Sequence, residues 1–251
     1  DAVELMNVGA NYLREHVTSD VRIHYTITEG GTAPNIVPDK ACVWYYVRAM
    51  RREAVEDVYA RLVKVAKGAA MMTETEVEIE FLGGCYNTMA NMVLSELVHK
   101  NMGAVPQDPW TPEEIQMARE MSEASGQNWE NVRRAYNLGE NDTLSSTVQP
   151  MKFIDQYGST DVGDVMHLVP TAMFFTASFP MGAPGHSWQN TASAGSSIGH
   201  KGMIYGARIL AKTVLDCFEN PDIVKAAKEE FDKATAGSKY LCPIPDEVPV
   251  P

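Results

Sequence analysis

The sequence predicts a mixed α/β chain in two parts, a compact α+β layer over residues 1–86 and a helix-rich α/β region over 87–251. Three observations carry this expectation. Apolar residues recur at helical steps and then at strand steps in the first part. The glycine pairs Gly30-Gly31 and Gly83-Gly84 close two of the strand patterns. After Cys85 helical patterns dominate and long polar loops enter. A chain of 251 residues corresponds to one or two domains at roughly 150 residues per domain.

Residues 3–17 read as an amphipathic helix, because Val3, Met6, Ala10, Leu13 and Val17 recur at steps of three and four. From Val21 to Thr28 the pattern alternates. Val21, Ile23, Tyr25 and Ile27 share one face, and Arg22, His24, Thr26 and Thr28 the other. A loop with two prolines, residues 33–39, leads to a second strand over 41–49. There Val43, Tyr45 and Val47 lie opposite Cys42, Trp44, Tyr46 and Arg48. Residues 52–72 form a second helix, with Ala54, Val58, Leu62, Val65 and Ala69 in register, and Val77 to Leu82 a third strand. This is the pattern of a sheet covered on one face by two helices.

In the second part helices are expected over 89–102 and 112–124. Thr111, Pro112 and Glu114 mark the start of the latter as an N-cap, a first-turn proline and the third position of a capping box. Residues 126–150, with Gly139, Asn141 and Asp142, read as a long polar loop. A turn at 158–164 precedes an apolar strand from Thr171 to Phe179 and a loop at 181–190. Helices over 198–217 and 222–234 lead to a proline-rich tail.

The net charge of −12 repels phosphate backbones and anionic membrane surfaces, so neither nucleic acid nor membrane is an expected partner. No apolar run approaches the roughly 18 residues that span a bilayer. Cys42, Cys85, Cys217 and Cys242 show no C-x-x-C spacing and read as reduced thiols buried as small hydrophobes. Such thiols point to a cytoplasmic location.

Reactive side chains gather in three loops and at element ends. The first group is His24, Asn35 and Arg48; the second is Ser159, Thr160, Asp161 and Asp164; the third is His186 in Ala183-Pro184-Gly185-His186-Ser187-Trp188-Gln189-Asn190. Each group is weak alone. From spacing alone His24 reads as an exposed or hydrogen-bonded surface histidine, and Arg48 as a strand-end salt bridge or a guanidinium stacked on Trp44 or Tyr46. Asp161 reads as a turn cap, and His186 as a loop histidine. No H-x-x-x-H, H-E-x-x-H or H-x-D pair occurs, so the chain shows no metal site complete in itself.

Longer runs alter this weighing. Val21-Arg22-Ile23-His24-Tyr25-Thr26-Ile27-Thr28-Glu29-Gly30-Gly31-Thr32-Ala33-Pro34-Asn35-Ile36-Val37-Pro38-Asp39 is followed by Val47-Arg48-Ala49. Gly158-Ser159-Thr160-Asp161-Val162-Gly163-Asp164-Val165, Pro184-Gly185-His186-Ser187-Trp188-Gln189 and His200-Lys201-Gly202-Met203 come later in that order. Together they resemble the di-zinc metallopeptidase and amidohydrolase family of aminoacylases and glutamate carboxypeptidases. Within it they are most similar to the aminobenzoyl-glutamate hydrolase branch.

The resemblance implies a ferredoxin-like lid or dimerisation domain, followed by the C-terminal portion of an α/β catalytic domain. It implies hydrolysis of the amide of an N-acyl amino acid or an aminobenzoyl-glutamate-like substrate, with two divalent metals, zinc or manganese, in the complete enzyme. His186 matches a metal-ligating histidine. His24 matches a lid histidine that stabilises the oxyanion in the partner protomer's site of a homodimer. Asn35 and Arg48 match the pair that grips the substrate carboxylate, and Asp161 a residue of the active-site wall.

The family places an H-x-D pair, a bridging aspartate and a Glu-Glu pair before the lid, and the chain opens at the lid's first helix. The expectation is therefore a fragment that binds no metal tightly and is inactive alone, or one that pairs with a separate chain carrying the missing segment. A non-catalytic dimerisation module and a ligand-binding descendant of the enzyme remain as alternatives.

Overall fold

The computed structural model describes residues 1–126, 128–136, 138–139, 142–152 and 157–244. In chain order its elements are α1 (Ala2–Leu13), extended by a 3-10 turn at Arg14–His16, β1 (Arg22–Glu29), β2 (Cys42–Arg48), α2 (Arg52–Thr73) and α3 (Met92–Ala104). Then come α4 (Pro112–Ala124), α5 (Trp129–Tyr136), α6 (Val162–Met166), α7 (Trp188–Ala194), α8 (Ser197–Glu219) and α9 (Pro221–Ala234). They form two compact units. One comprises residues 1–89, 154–167 and 240–251, and the other 90–153 and 168–239.

In the first unit α1 and α2 cover one face of an antiparallel pair, β1–β2. The alternation of β1 sends Val21 and Ile23 inward, where they meet Ala10 and Leu13 of α1 and Val58 and Leu62 of α2. Tyr45 and Val47 of β2 join the same cluster. Close approach of the helices requires Gly9, since a Cβ there would stand 2.6 Å from Val65 Cγ1. The Tyr45 hydroxyl donates to Asn7 Oδ1, and burial pushes its pKa up to about 12. A bulge between Ile27 and Glu29 ends the regular ladder.

The strand expected from Val77 to Leu82 is not a ladder strand. The sheet of the described residues has two strands, and Val77 and Ile79 are exposed. The period-two pattern is present, but a strand exists only when a neighbouring edge accepts its hydrogen bonds, and neither β1 nor β2 pairs with this segment.

In the second unit α3, α8 and α9 pack together around Val98, Tyr205 and Ile209. A second cluster joins Ala118 of α4 and Ile198 of α8 to Leu144. The capping box at Thr111 forms as expected: Thr111 Oγ1 accepts from the Glu114 amide and the Glu114 carboxylate accepts from the Thr111 amide. The polar stretch 126–150 is not wholly loop, since α5 occupies part of it. Its apolar anchors Trp129 and Val132 are buried, which hydrophilic composition concealed.

The segment 171–179 forms no ladder either. Ala172 and Phe174 pack on the α3–α8 core, while Met173 and Phe175 face outward. Gly202 permits the approach of this segment to α8, because a Cβ there would stand 2.5 Å from the Ala177 carbonyl oxygen.

The four thiols are free, but Cys42, Cys85 and Cys242 are exposed rather than buried. Cys42 alternates onto the uncovered sheet face, and Cys85 and Cys242 lie in irregular backbone. Among the described residues no helix is long and apolar enough to cross a membrane. Asn141 and the tail residues 245–251 lie outside the described residues.

Candidate functional site

The uncovered face of the β1–β2 pair carries the first group of candidate residues. The register sets Arg22 opposite Arg48, His24 opposite Tyr46 and Thr26 opposite Trp44. Because side chains alternate, these six share one face. The Trp44 and Tyr46 rings confirm it, with centroids 5.3 Å apart. His24 and Arg48, 24 positions apart in sequence, are thus brought into adjacent cross-strand pairs. Asn35 is exposed in the loop joining the strands, in the turn closed by the Ile36 amide on the Ala33 carbonyl (3.1 Å).

The same unit contributes the turn before α6. The Arg48 guanidinium donates to the Tyr157 carbonyl, and its Nη2 lies 3.1 Å from Ser159 Oγ. Asp161 is the N-cap residue of α6 and makes no capping hydrogen bond with its side chain. The Val162 amide is instead accepted by Thr160 Oγ1 at 3.3 Å. Asp164, two residues into the helix, is the better-anchored acid. It accepts from the Tyr86 amide at 3.2 Å and from the Tyr240 hydroxyl at 3.0 Å. Desolvation, and then the bond to Asp164, push the Tyr240 pKa up to about 12. Gly163 is required here, since a Cβ would stand 2.1 Å from the Tyr86 carbonyl oxygen.

Sequence reasoning missed Arg22, Tyr157, Tyr86 and Tyr240. Arg22 shares the face of His24, so its face was legible, but its neighbour was not. The tyrosines come from distant segments and carry no local pattern.

His186 belongs to the second unit. It adopts the left-handed conformation (φ 54°) between Gly185 and Ser187, a geometry uncommon outside glycine that marks a special position. Ser187 caps α7, its Oγ accepting from the Asn190 amide at 3.4 Å and donating to the Pro184 carbonyl at 2.7 Å. These bonds hold the turn that exposes the imidazole. His186 lines an open cavity of about 560 Å³ together with Ser178, Phe179, Ser187, Asn190 and Thr191.

No group of three or more His, Cys, Asp and Glu side chains gathers among the described residues in a way that would hold a metal ion. A single imidazole is short of the three or four protein ligands that a zinc site needs. The described residues therefore do not by themselves fit a two-metal centre.

Residues 4–71 match the model of the peptidase dimerisation domain. The chain is 34% identical to a p-aminobenzoyl-glutamate hydrolase subunit of Escherichia coli, over 99% of its own length and 55% of that protein's. It is 25% identical to the Xaa-Arg dipeptidases of Mus musculus and Homo sapiens, over 92% of its own length and 45% and 44% of theirs. The chain thus spans about half the length of the curated relatives it matches. A dimerisation-domain match at residues 4–71 and such relatives along nearly all of the chain support the peptidase and amidohydrolase family that the motifs resemble.

Proposed function

We propose that this chain is the lid (residues 1–86) and the C-terminal part of the catalytic domain (residues 87–251) of a metal-dependent amidohydrolase. Its substrate is an N-acyl amino acid or an aminobenzoyl-glutamate-like amide. One observation carries the reading: His24 and Arg48 stand in adjacent pairs on one uncovered sheet face, with Arg48 held by Tyr157 and Ser159.

Arg48 offers a planar fork matched to a carboxylate, and Asn35 binds beside it. His24 donates to the oxyanion in the partner protomer's site, a contribution of about 3–4 kcal/mol for one such donor. His186 is one ligand of a zinc or manganese centre completed by residues outside this chain, and Asp161 lines the wall. The lid is ferredoxin-like and joins two protomers into a homodimer. Outward-facing Met173, Phe175, Leu210 and Phe218 in the second unit support an apolar cover supplied by the rest of the catalytic domain or by a separate chain. The enzyme works in the cytoplasm.

The chain alone is inactive, because its described residues do not complete the metal centre. The reading is tested by titrating the purified chain with 4-aminobenzoyl-glutamate in a calorimeter and by assaying amide hydrolysis with zinc or manganese added. Binding that weakens roughly tenfold or more in Arg48→Ala, with no hydrolysis, is the expected result. Binding indifferent to Arg48 would remove the substrate assignment, and a metal-dependent rate from the chain alone would remove the claim of incompleteness. The dimerisation-module reading, favoured by the match confined to residues 4–71, is the outcome if a dimer forms and no ligand binds.

A further inference from the structure

We infer that Arg22 forms with Arg48 a two-guanidinium clamp that selects amides whose amine-side half carries two carboxylates. The inference rests on the reading of Arg48 as a carboxylate grip, and it assigns a role to a residue that this reading leaves unused.

Three observations place Arg22 in the clamp. First, Arg22 and Arg48 are direct cross-strand partners on the uncovered face. Second, both engage the same residue: Arg48 donates to the Tyr157 carbonyl, and the Arg22 guanidinium carbon lies 4.9 Å from the centre of the Tyr157 ring. The turn at 157–159 therefore aligns both heads. Third, Arg22 Nη1 is used on the backbone, donating to the Ser19 carbonyl at 2.7 Å and the Val21 carbonyl at 2.8 Å. A guanidinium has five N–H donors in a rigid fork, so the anchored head keeps others to offer.

Like charges directly opposite one another on a sheet are unfavourable. Neither arginine forms an ion pair among the described residues. The nearby acid, Asp20, is held by Thr18 and by the Met50 amide at 3.1 Å, and it interacts with the Arg22 charge without forming an ion pair with it. An anion with two separated carboxylates relieves the repulsion by placing one on each fork. A monocarboxylate leaves one fork unfilled.

The test compares 4-aminobenzoyl-glutamate with 4-aminobenzoyl-glutamine, which differ only in the side-chain carboxylate, by calorimetric titration of the whole chain. The wild type is expected to prefer the glutamate compound by roughly tenfold or more, the value of a hydrogen-bonded charge pair. Arg22→Gln should abolish that preference by weakening the glutamate compound alone. Arg22→Lys, which keeps charge without the fork, should restore part of it. Arg48→Gln should weaken both compounds. An unchanged preference in Arg22→Gln, together with the Arg48 effect, overturns the clamp and leaves the carboxylate grip standing. Failure of both probes to bind, or indifference to Arg48, overturns the two together.

Discussion

Replacing Lys201 by methionine should cost the second unit about 3 kcal/mol, because it strands a buried carboxylate. Glu114 is the third residue of α4, and its side chain is only 7% exposed. Lys201 of α8 reaches it with Nζ 2.6 Å from Oε2, and the same ammonium donates to the Pro109 carbonyl at 2.8 Å. It also lies 5.7 Å from the Trp110 ring centre. Removing one partner of a buried pair costs about 3–5 kcal/mol. The lower end applies here, because the Thr111 amide still donates to the carboxylate at 2.8 Å and methionine keeps the length of the stem. Thr111→Ala, which deletes one capping bond, should cost about 1 kcal/mol. Glu114→Gln should cost less than Lys201→Met, since glutamine also serves in a capping box and the Lys201 ammonium it leaves is more exposed and keeps the Pro109 carbonyl.

The pH response separates this account from a packing effect. Burial tends to raise the Glu114 pKa, but hydrogen bonds from Lys201, Ser197 and the Thr111 backbone outweigh it and hold the carboxyl below the ordinary 4.5. A depressed folded value means that the stabilisation is present above the unfolded value and is lost as pH falls through the folded one. The wild type should therefore lose this contribution below about pH 4.5, and Glu114→Gln should not. Hydrogen exchange of the α4 amides reads the local opening free energy. A loss under about 0.5 kcal/mol in Lys201→Met would make the contact no better than a surface ion pair and refute the reasoning.

Two further substitutions probe the first unit. Ile23→Ala should destabilise it by about 2–5 kcal/mol in urea unfolding, because the side chain is 2% exposed and is held between α1 and α2; a loss below about 1 kcal/mol would show that the pocket collapses freely. Gly163→Ala should displace α6 from the Tyr86 carbonyl and cost at least about 1–3 kcal/mol, the scale of overpacking. Its readout is the Tyr240 phenol titration, which should fall from about 12 toward the ordinary 10.0 as Asp164 moves away, and an unmoved titration would contradict the contact.

Most of the helices were legible because their evidence is local. Apolar residues at steps of three and four located α1, α2 and α8, and Thr111, Pro112 and Glu114 marked the start of α4 to the residue. The two faces of β1 and β2 were legible for the same reason, since alternation is a property of one strand. The segments 77–82 and 171–179 have the same alternation and no ladder, because pairing depends on a second edge that no single segment encodes. Trp129 and Val132 carried α5 through a stretch whose average polarity suggested only loop.

The sequence by itself singled out the candidate residues, His24, Asn35, Arg48, Asp161 and His186, through motif runs that need no coordinates to read. It also determined the strand face that His24 and Arg48 share. Only the tertiary structure decided who stands beside whom: Arg22 against Arg48, His24 against Tyr46, and the Tyr157 and Ser159 turn against the Arg48 guanidinium. The physical reason is range. Backbone periodicity acts over a few residues, whereas strand register and loop docking join positions 26 and 111 apart, and such contacts are settled by the packing of the whole unit.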